Sequence, residues 1–162
     1  MDFDAFFAEA YPSVVRALGF ALGDQGAAED AAQEAFAKAY RRWSSVSQAE
    51  RPAAWVYVVA VRDARRRLSR LERLSRRVAA QPGREDEAGP DVAGDADMVA
   101  AVAALPPRQR LAVVLRYWAD LDEAAMAEAM GCARGTVKAT LSAALTKLRV
   151  AQQDEEVVAG AH

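Results

Sequence analysis

Residues 122–142 read Asp-Glu-Ala-Ala-Met-Ala-Glu-Ala-Met-Gly-Cys-Ala-Arg-Gly-Thr-Val-Lys-Ala-Thr-Leu-Ser, and the punctuation of this stretch decides the fold around it. The Asp122 carboxylate stands where it can accept the free backbone N–H groups of a first helical turn, so a helix is expected over 123–130. Gly131 ends that helix in the left-handed conformation that glycine takes most easily. A new helical pattern starts at Arg134 and runs to about residue 150, burying Val137, Leu141, Leu145 and Leu148. A short helix, a glycine-containing turn and a second helix with an apolar inner stripe describe a helix-turn-helix. Its inner face holds Met126, Ala127, Met130, Val137 and Leu141, and its outer face presents Arg134, Gly135, Thr136, Lys138, Ala139 and Ser142. In a reader of duplex DNA the second helix lies in the major groove, and the neighbouring Arg108, Arg110 and Arg116 would offer phosphate contacts. The same pattern also fits a plain three-helix core with a solvated outer face.

Working outward, a short helix is expected over 95–105, a stop at Pro106-Pro107, and a helix over 108–118 with Leu111, Val114, Leu115 and Trp118 on one stripe. Residues 78–94 contain no aromatic and few large apolar side chains, so they are expected to form a flexible acidic linker. Residues 1–77 are helical in pattern, with no alternating run that reads as a strand. One helix spans 3–22, with Pro12 as a place for a bend, and ends at the Gly23-Asp24-Gln25-Gly26 break. A second spans 27–43, with Ala28, Ala32, Ala35, Phe36, Ala39, Tyr40 and Trp43 along one face. A polar loop covers 44–51, and Pro52 opens the first turn of a helix running to about 77. The expected fold is all-α: two small helical domains, 1–77 and 95–150, joined by the linker 78–94 and followed by an acidic tail, 151–162.

A chain of 162 residues has room for one ordinary domain or two small ones, which excludes a large multidomain enzyme. No apolar run approaches the roughly 20 residues that span a bilayer, so no membrane insertion is expected. The acidic start, with Asp2 and Asp4, is unlike a basic and then apolar export signal. One cysteine, Cys132, and one histidine, His162, leave no internal disulfide, no ordinary Cys/His zinc site and no His-activated nucleophile in an ordered segment. No metal or cofactor is expected, and a reducing cytoplasm fits the single thiol.

The net charge of −2 conceals alternating blocks. Two bases stand against seven acids in residues 1–40, whereas eleven arginines stand against three acids in 41–77. The linker is acidic again, and residues 105–150 are basic. Such segregation assigns separate faces to separate partners, and the basic blocks suit a polyanion. In the 52–77 helix Tyr57, Val61, Ala64, Leu68 and Leu71 share a packing face, with Arg62, Arg65, Arg66, Arg70, Arg73 and Arg77 thrown to the other side. That strip can track phosphates, and Trp55 and Tyr57 are candidate stacking surfaces for unpaired bases. Trp43 is read as core. The stripe Asp30, Gln33, Glu34, Lys38 and Arg41, opposite the alanine face, reads on pattern alone as a solvated surface.

Together, residues 29–36, the segment Ala54-Trp55-Val56-Tyr57 with Ala60 and the arginine run, residues 104–110, Leu115-Arg116-Tyr117 and residues 131–138 resemble the extracytoplasmic-function (ECF) sigma factors of bacteria, of the sigma-70 type. The resemblance covers about residues 3–150. It implies that 3–77 form sigma region two and 97–150 region four, with core RNA polymerase and promoter DNA as partners, an anti-sigma protein as a further one, and no catalysis. It also implies that Asp30, Gln33, Glu34 and Phe36 belong to the helix that docks on polymerase. Trp55, Arg62, Arg65 and Arg66, with the 44–51 loop, would hold the melted minus-ten strand. Arg134, Gly135, Thr136, Lys138, Ala139 and Ser142 would read the minus-thirty-five duplex. The chain departs from the family pattern in having Arg62 and Arg66 where Asn and Asp are usual, and Ala133 where a serine usually caps the recognition helix. Thr140 and Ala143 stand where longer DNA-contacting side chains are common. Two other classes remain open: a helix-turn-helix regulator whose first domain senses a ligand or dimerises, and a degenerate sigma relative acting as a protein-interaction module.

Overall fold

Small side chains organise the first half of the molecule. Helix α2 (Gln25–Arg41) buries Ala28, Ala31, Ala32, Ala35 and Ala39. An alanine face lets neighbouring backbones approach closely, and α2 packs against both α1 (Phe3–Leu22) and α4 (Pro52–Ser75). The computed structural model describes residues 1–75 and 96–160. Arg77 and the linker segment 78–94 lie outside the described residues, as do the side chains of Leu68, Leu71 and Arg73.

Asp2 and Asp24 start α1 and α2 by accepting the backbone N–H groups of Ala5 and Ala27 at 2.8 and 2.9 Å. Helix α1 runs unbroken through Pro12 and ends at Gly23, whose φ of 67° gives the left-handed stop expected of the glycine break. The 44–51 segment is not wholly loop. It begins with a short helix, α3 (Trp43–Val46), because Val46 turns inward and is buried while Ser44 and Ser45 face water.

Helix α1 also meets α2 through aromatic rings. Phe6 stacks on Trp43 at 5.0 Å and lies 5.6 Å from Phe36, Phe7 meets Phe36 edge-on at 5.2 Å, and Phe3 meets Tyr40 at 5.0 Å. The reading of Trp43 as core agrees with this cluster. Tyr40, expected on the buried face, is 65% exposed, because it sits at the rim of the cluster, where it meets the Phe3 ring edge-on.

The second half comprises α5 (Ala96–Ala103), α6 (Pro107–Tyr117), α7 (Glu123–Met130) and α8 (Arg134–Ala159). Pro107 opens α6, where its missing N–H costs no hydrogen bond. Leu115, Leu121, Met126 and Val137 close the core of this bundle. Trp118, expected on the inner stripe of α6, follows the end of that helix and is 42% exposed, meeting Phe20 of α1 at 5.8 Å. Helix α8 continues well past residue 150, so most of the expected acidic tail is helical. No glycine or proline interrupts 151–159, and alanine, glutamine and glutamate there are good helix formers.

The two bundles touch. Helix α4 packs on α7 and α1 on α6, and the buried apolar side chains of both halves form one cluster. The Arg110 guanidinium donates from Nε to the Ala21 carbonyl at 3.3 Å and from Nη1 to the Ala103 carbonyl at 3.2 Å, tying α6 to the end of α1. Among the described residues there is no strand, and no helix is long and apolar enough to cross a membrane.

Candidate nucleic-acid interface

The helix-turn-helix forms as its punctuation implies. The Asp122 carboxylate accepts the Ala125 N–H at 2.8 Å, and Gly131 ends α7 at φ 65°. Met126, Met130 and Val137 are buried, with Ala127 and Leu141 partly so, and Ala144 joins them from the third turn of α8. On the outer side Arg134, Gly135, Thr136, Lys138, Ala139 and Ser142 are all exposed. Lys138 forms a surface pair with Glu123 at 3.6 Å, which solvent keeps weak enough to exchange for a phosphate. The Thr140 hydroxyl donates back to the Thr136 carbonyl at 2.8 Å, so it is directed to its own helix rather than outward. Of the three arginines expected to support this face, Arg108 is exposed with no hydrogen bond or ion pair among the described residues; Arg116 donates to the Leu121 carbonyl at 3.0 Å, and Arg110 holds α1 as above.

Helix α4 departs from its expected two-faced form. Tyr57, Val61 and Ala64 are buried as anticipated, but Val56, Val58 and Val59 are buried too, because α4 is packed between α2 and α7. Tyr57 is 6% exposed, which removes it as a stacking surface; burial pushes its phenol from 10.0 up to about 12. Its hydroxyl donates to the Ser13 carbonyl at 3.5 Å. Arg62 and Arg65 are half-buried against α7 instead of facing solvent, whereas Arg66 and Arg70 are exposed. Trp55 is partly exposed and lines a cleft of about 510 Å³ with Arg42, Arg51, Arg62, Asp122 and Glu128. Three guanidinium-bearing side chains beside one indole suit a stacked base with its phosphates.

On α2, Asp30 and Gln33 are exposed and Glu34 is half-exposed, as the polar stripe requires. Phe36 is not part of that surface. It is 2% exposed inside the aromatic cluster, because its position on the 3.6-residue repeat places it with Ala32 and Ala39. Lys38 turns away from the stripe and pairs with Asp63 of α4 at 2.5 Å, in addition to Glu34 at 3.9 Å. Asp63, with its side chain only 13% exposed, also lies 3.9 Å from Arg62 Nε. Glu34 therefore connects through Lys38 and Asp63 to Arg62, and on to Glu128 of α7 at 3.7 Å. Sequence reasoning missed Asp63, Glu128 and Asp120 as partners. The available signal was Asp63, the lone acid between Arg51 and Arg70.

Both halves have counterparts among known proteins. Residues 6–74 match the family model of Sigma-70 region 2, and residues 96–148 that of Sigma-70, region 4. The RNA polymerase sigma-E factor of Streptomyces coelicolor is 29% identical over 162 residues, covering 98% of this chain and 88% of the relative. The ECF RNA polymerase sigma factor SigL of Mycobacterium tuberculosis is 32% identical over 143 residues, covering 82% of this chain and 78% of the relative. The solved structure of the sigma factor RpoE in complex with the anti-sigma factor NepR, from Bartonella quintana, shares the fold with a TM-score of 0.67 at 21% identity, over 94% of this chain and 97% of that one. The chain belongs to the ECF family of RNA polymerase sigma factors.

Proposed function

We propose that this protein is an alternative sigma factor that binds core RNA polymerase in the cytoplasm and directs it to promoters, with residues 1–77 acting as region two and 95–150 as region four. The observation that carries this reading is the match of both halves, in order, to Sigma-70 region 2 and Sigma-70 region 4, and within the first of them Asp30, Gln33 and Glu34 stand on the open side of a helix whose other side is sealed by alanines. Those residues dock on polymerase. Phe36 serves docking only indirectly, by holding α2 in place.

Trp55, Arg62, Arg65 and Arg66 hold the melted minus-ten strand beside the cleft, and the exposed first turns of α8 read the minus-thirty-five duplex. The chemistry is binding alone: an unstacked base held on the protein lowers the cost of opening the duplex, and this chain makes and breaks no bond. Thr140 and the short side chains Ala139 and Ser142 leave Arg134 and Lys138 as the long contacts in the groove, so duplex binding depends on tethering of both regions to polymerase. An anti-sigma protein, the partner of RpoE in the structure of similar fold, belongs to the same proposal.

Run-off transcription with core polymerase tests the reading. The parent chain is expected to support initiation, and the double variant Asp30→Arg/Glu34→Arg to fold, since it removes no core volume, but not to co-purify with core polymerase. Retention of that variant at the parent's level would overturn the docking assignment.

A further inference from the structure

We propose that the small cleft between α2 and α4 reads one unpaired base and selects guanine, with the Arg62 guanidinium as the specificity-determining group. That the base belongs to the melted minus-ten strand rests on the proposed function. The preference for guanine rests on the lining of the cleft.

The cleft has a volume of about 260 Å³, room for a single base, and is lined by Lys38, Arg41, Arg42, Trp55, Val59 and Arg62. Val59 is buried and gives it an apolar floor, while the partly exposed Trp55 offers an indole for stacking, which every base accepts. Every polar side chain in that lining is a donor: one ammonium, three guanidinium groups and an indole N–H. Carboxylates stand behind these cations, and none of them lines the cleft. Asp63 holds Lys38 at 2.5 Å, and Glu34 lies 3.9 Å from Lys38 and 3.8 Å from Arg41. Arg62 is held more loosely. Its guanidinium lies 3.9 Å from Asp63 and 3.7 Å from Glu128, both beyond hydrogen-bond length, and its buried Nε has no hydrogen-bond partner among the described residues.

A lining of donors alone discriminates among bases by their acceptors. Guanine presents O6 and N7 side by side, an edge that two parallel N–H groups of one guanidinium fit. Adenine has a similar ring area for stacking but carries an amino donor beside N7, which would face other donors and go unpaired. Thymine sets a methyl group beside its O4, and cytosine carries an amino donor at that place. Among the four cations Arg62 suits the task best. Lys38 is engaged by Asp63, and Arg41 and Arg42 are exposed, where water already serves their donors. A half-buried guanidinium with an unmet donor gains a hydrogen bond that solvent does not supply. An amide at this position, as in the family pattern, would offer an acceptor as well as a donor. A guanidinium offers donors only, so the departure at Arg62 narrows the choice of base.

The test measures binding of dye-labelled five-nucleotide strands to the full chain, alone and with core polymerase, by fluorescence anisotropy. One central base is flanked by abasic sugars, so that no neighbouring base can take its place. Guanine is expected to bind about tenfold tighter than adenine, the discrimination of one bidentate contact. Hypoxanthine, which keeps O6 and N7, should bind like guanine, and 7-deazaguanine, which lacks the N7 acceptor, should lose most of the preference. Raising the salt should weaken all strands in parallel and leave the ratio unchanged, because counterion release is blind to sequence. Arg62→Lys keeps the charge without the fork and should bring guanine and adenine to within about twofold of each other. Trp55→Ala should weaken every strand while the ratio persists, which separates stacking from edge reading. Failure to bind the guanine strand, equal affinity for guanine and adenine, preference for another base, or a guanine preference that survives Arg62→Lys in a chain with the parent's circular dichroism spectrum would overturn the inference. Any of these with run-off transcription intact would leave the sigma-factor reading standing. A guanine preference without run-off transcription by the parent would overturn that reading and not the pocket.

Discussion

Gly131→Ala separates two physical effects at one atom. The glycine has φ 65°, where an L side chain is disfavoured by about 1 kcal/mol or slightly more. The new Cβ would also sit 2.4 Å from Arg65 Cζ, closer than two atoms can approach, so the guanidinium must leave. Because it is the far end of a flexible side chain, its departure costs only what it contributed against α7, roughly 0.5–1 kcal/mol. The total of about 2 kcal/mol corresponds to a Tm lowered by about 4–8 °C in a chain of this length. Thermal unfolding followed by circular dichroism measures it. In an Arg65→Ala background the same substitution should cost only the backbone share, about 1 kcal/mol, and the difference between backgrounds is the coupling between the two residues. Equal losses in both backgrounds would refute the placement of Arg65 on Gly131, and no loss in either would refute the left-handed turn.

Phe36→Ala should destabilise the fold by about 3–5 kcal/mol in denaturant unfolding, whereas Asp30→Arg should leave the midpoint within experimental scatter; the reverse ranking would return Phe36 to the surface. Tyr57 supplies a pH signature. Its phenol ionises at 10.0 when unfolded and about 12 when folded, so its contribution is constant below pH 10 and is lost as pH rises from 10 toward 12, by at most roughly 3 kcal/mol. Tyr57→Phe should remove that part of the alkaline loss, and parallel pH profiles for parent and variant would show the hydroxyl to be solvated.

Local signals wrote the helices into the sequence. Asp122 and Gly131 bound α7 because capping and left-handed backbone are properties of single residues acting over one turn. The alanine face of α2 and the exposed outer side of α8 were legible because helical periodicity sorts side chains without reference to anything distant. The docking stripe at Asp30, Gln33 and Glu34 became functional only through resemblance, since a polar helix face looks the same whether it meets water or a protein. Periodicity could place Phe36 among the alanines, but could not say that three aromatic residues of α1 close around it.

What tertiary structure alone decided is the fate of the charges on α4. Sequence pattern divides a helix into an apolar and a polar face, yet α4 has neighbours on both sides, and which arginines meet solvent depends on where α7 lies. Arg62 and Arg65 are covered and Arg66 and Arg70 are not, although all four belong to one basic run. The pairing of Lys38 with Asp63 and of Arg62 with Glu128 joins residues far apart in the chain, and charge attraction of this kind carries no periodicity by which a sequence could announce it.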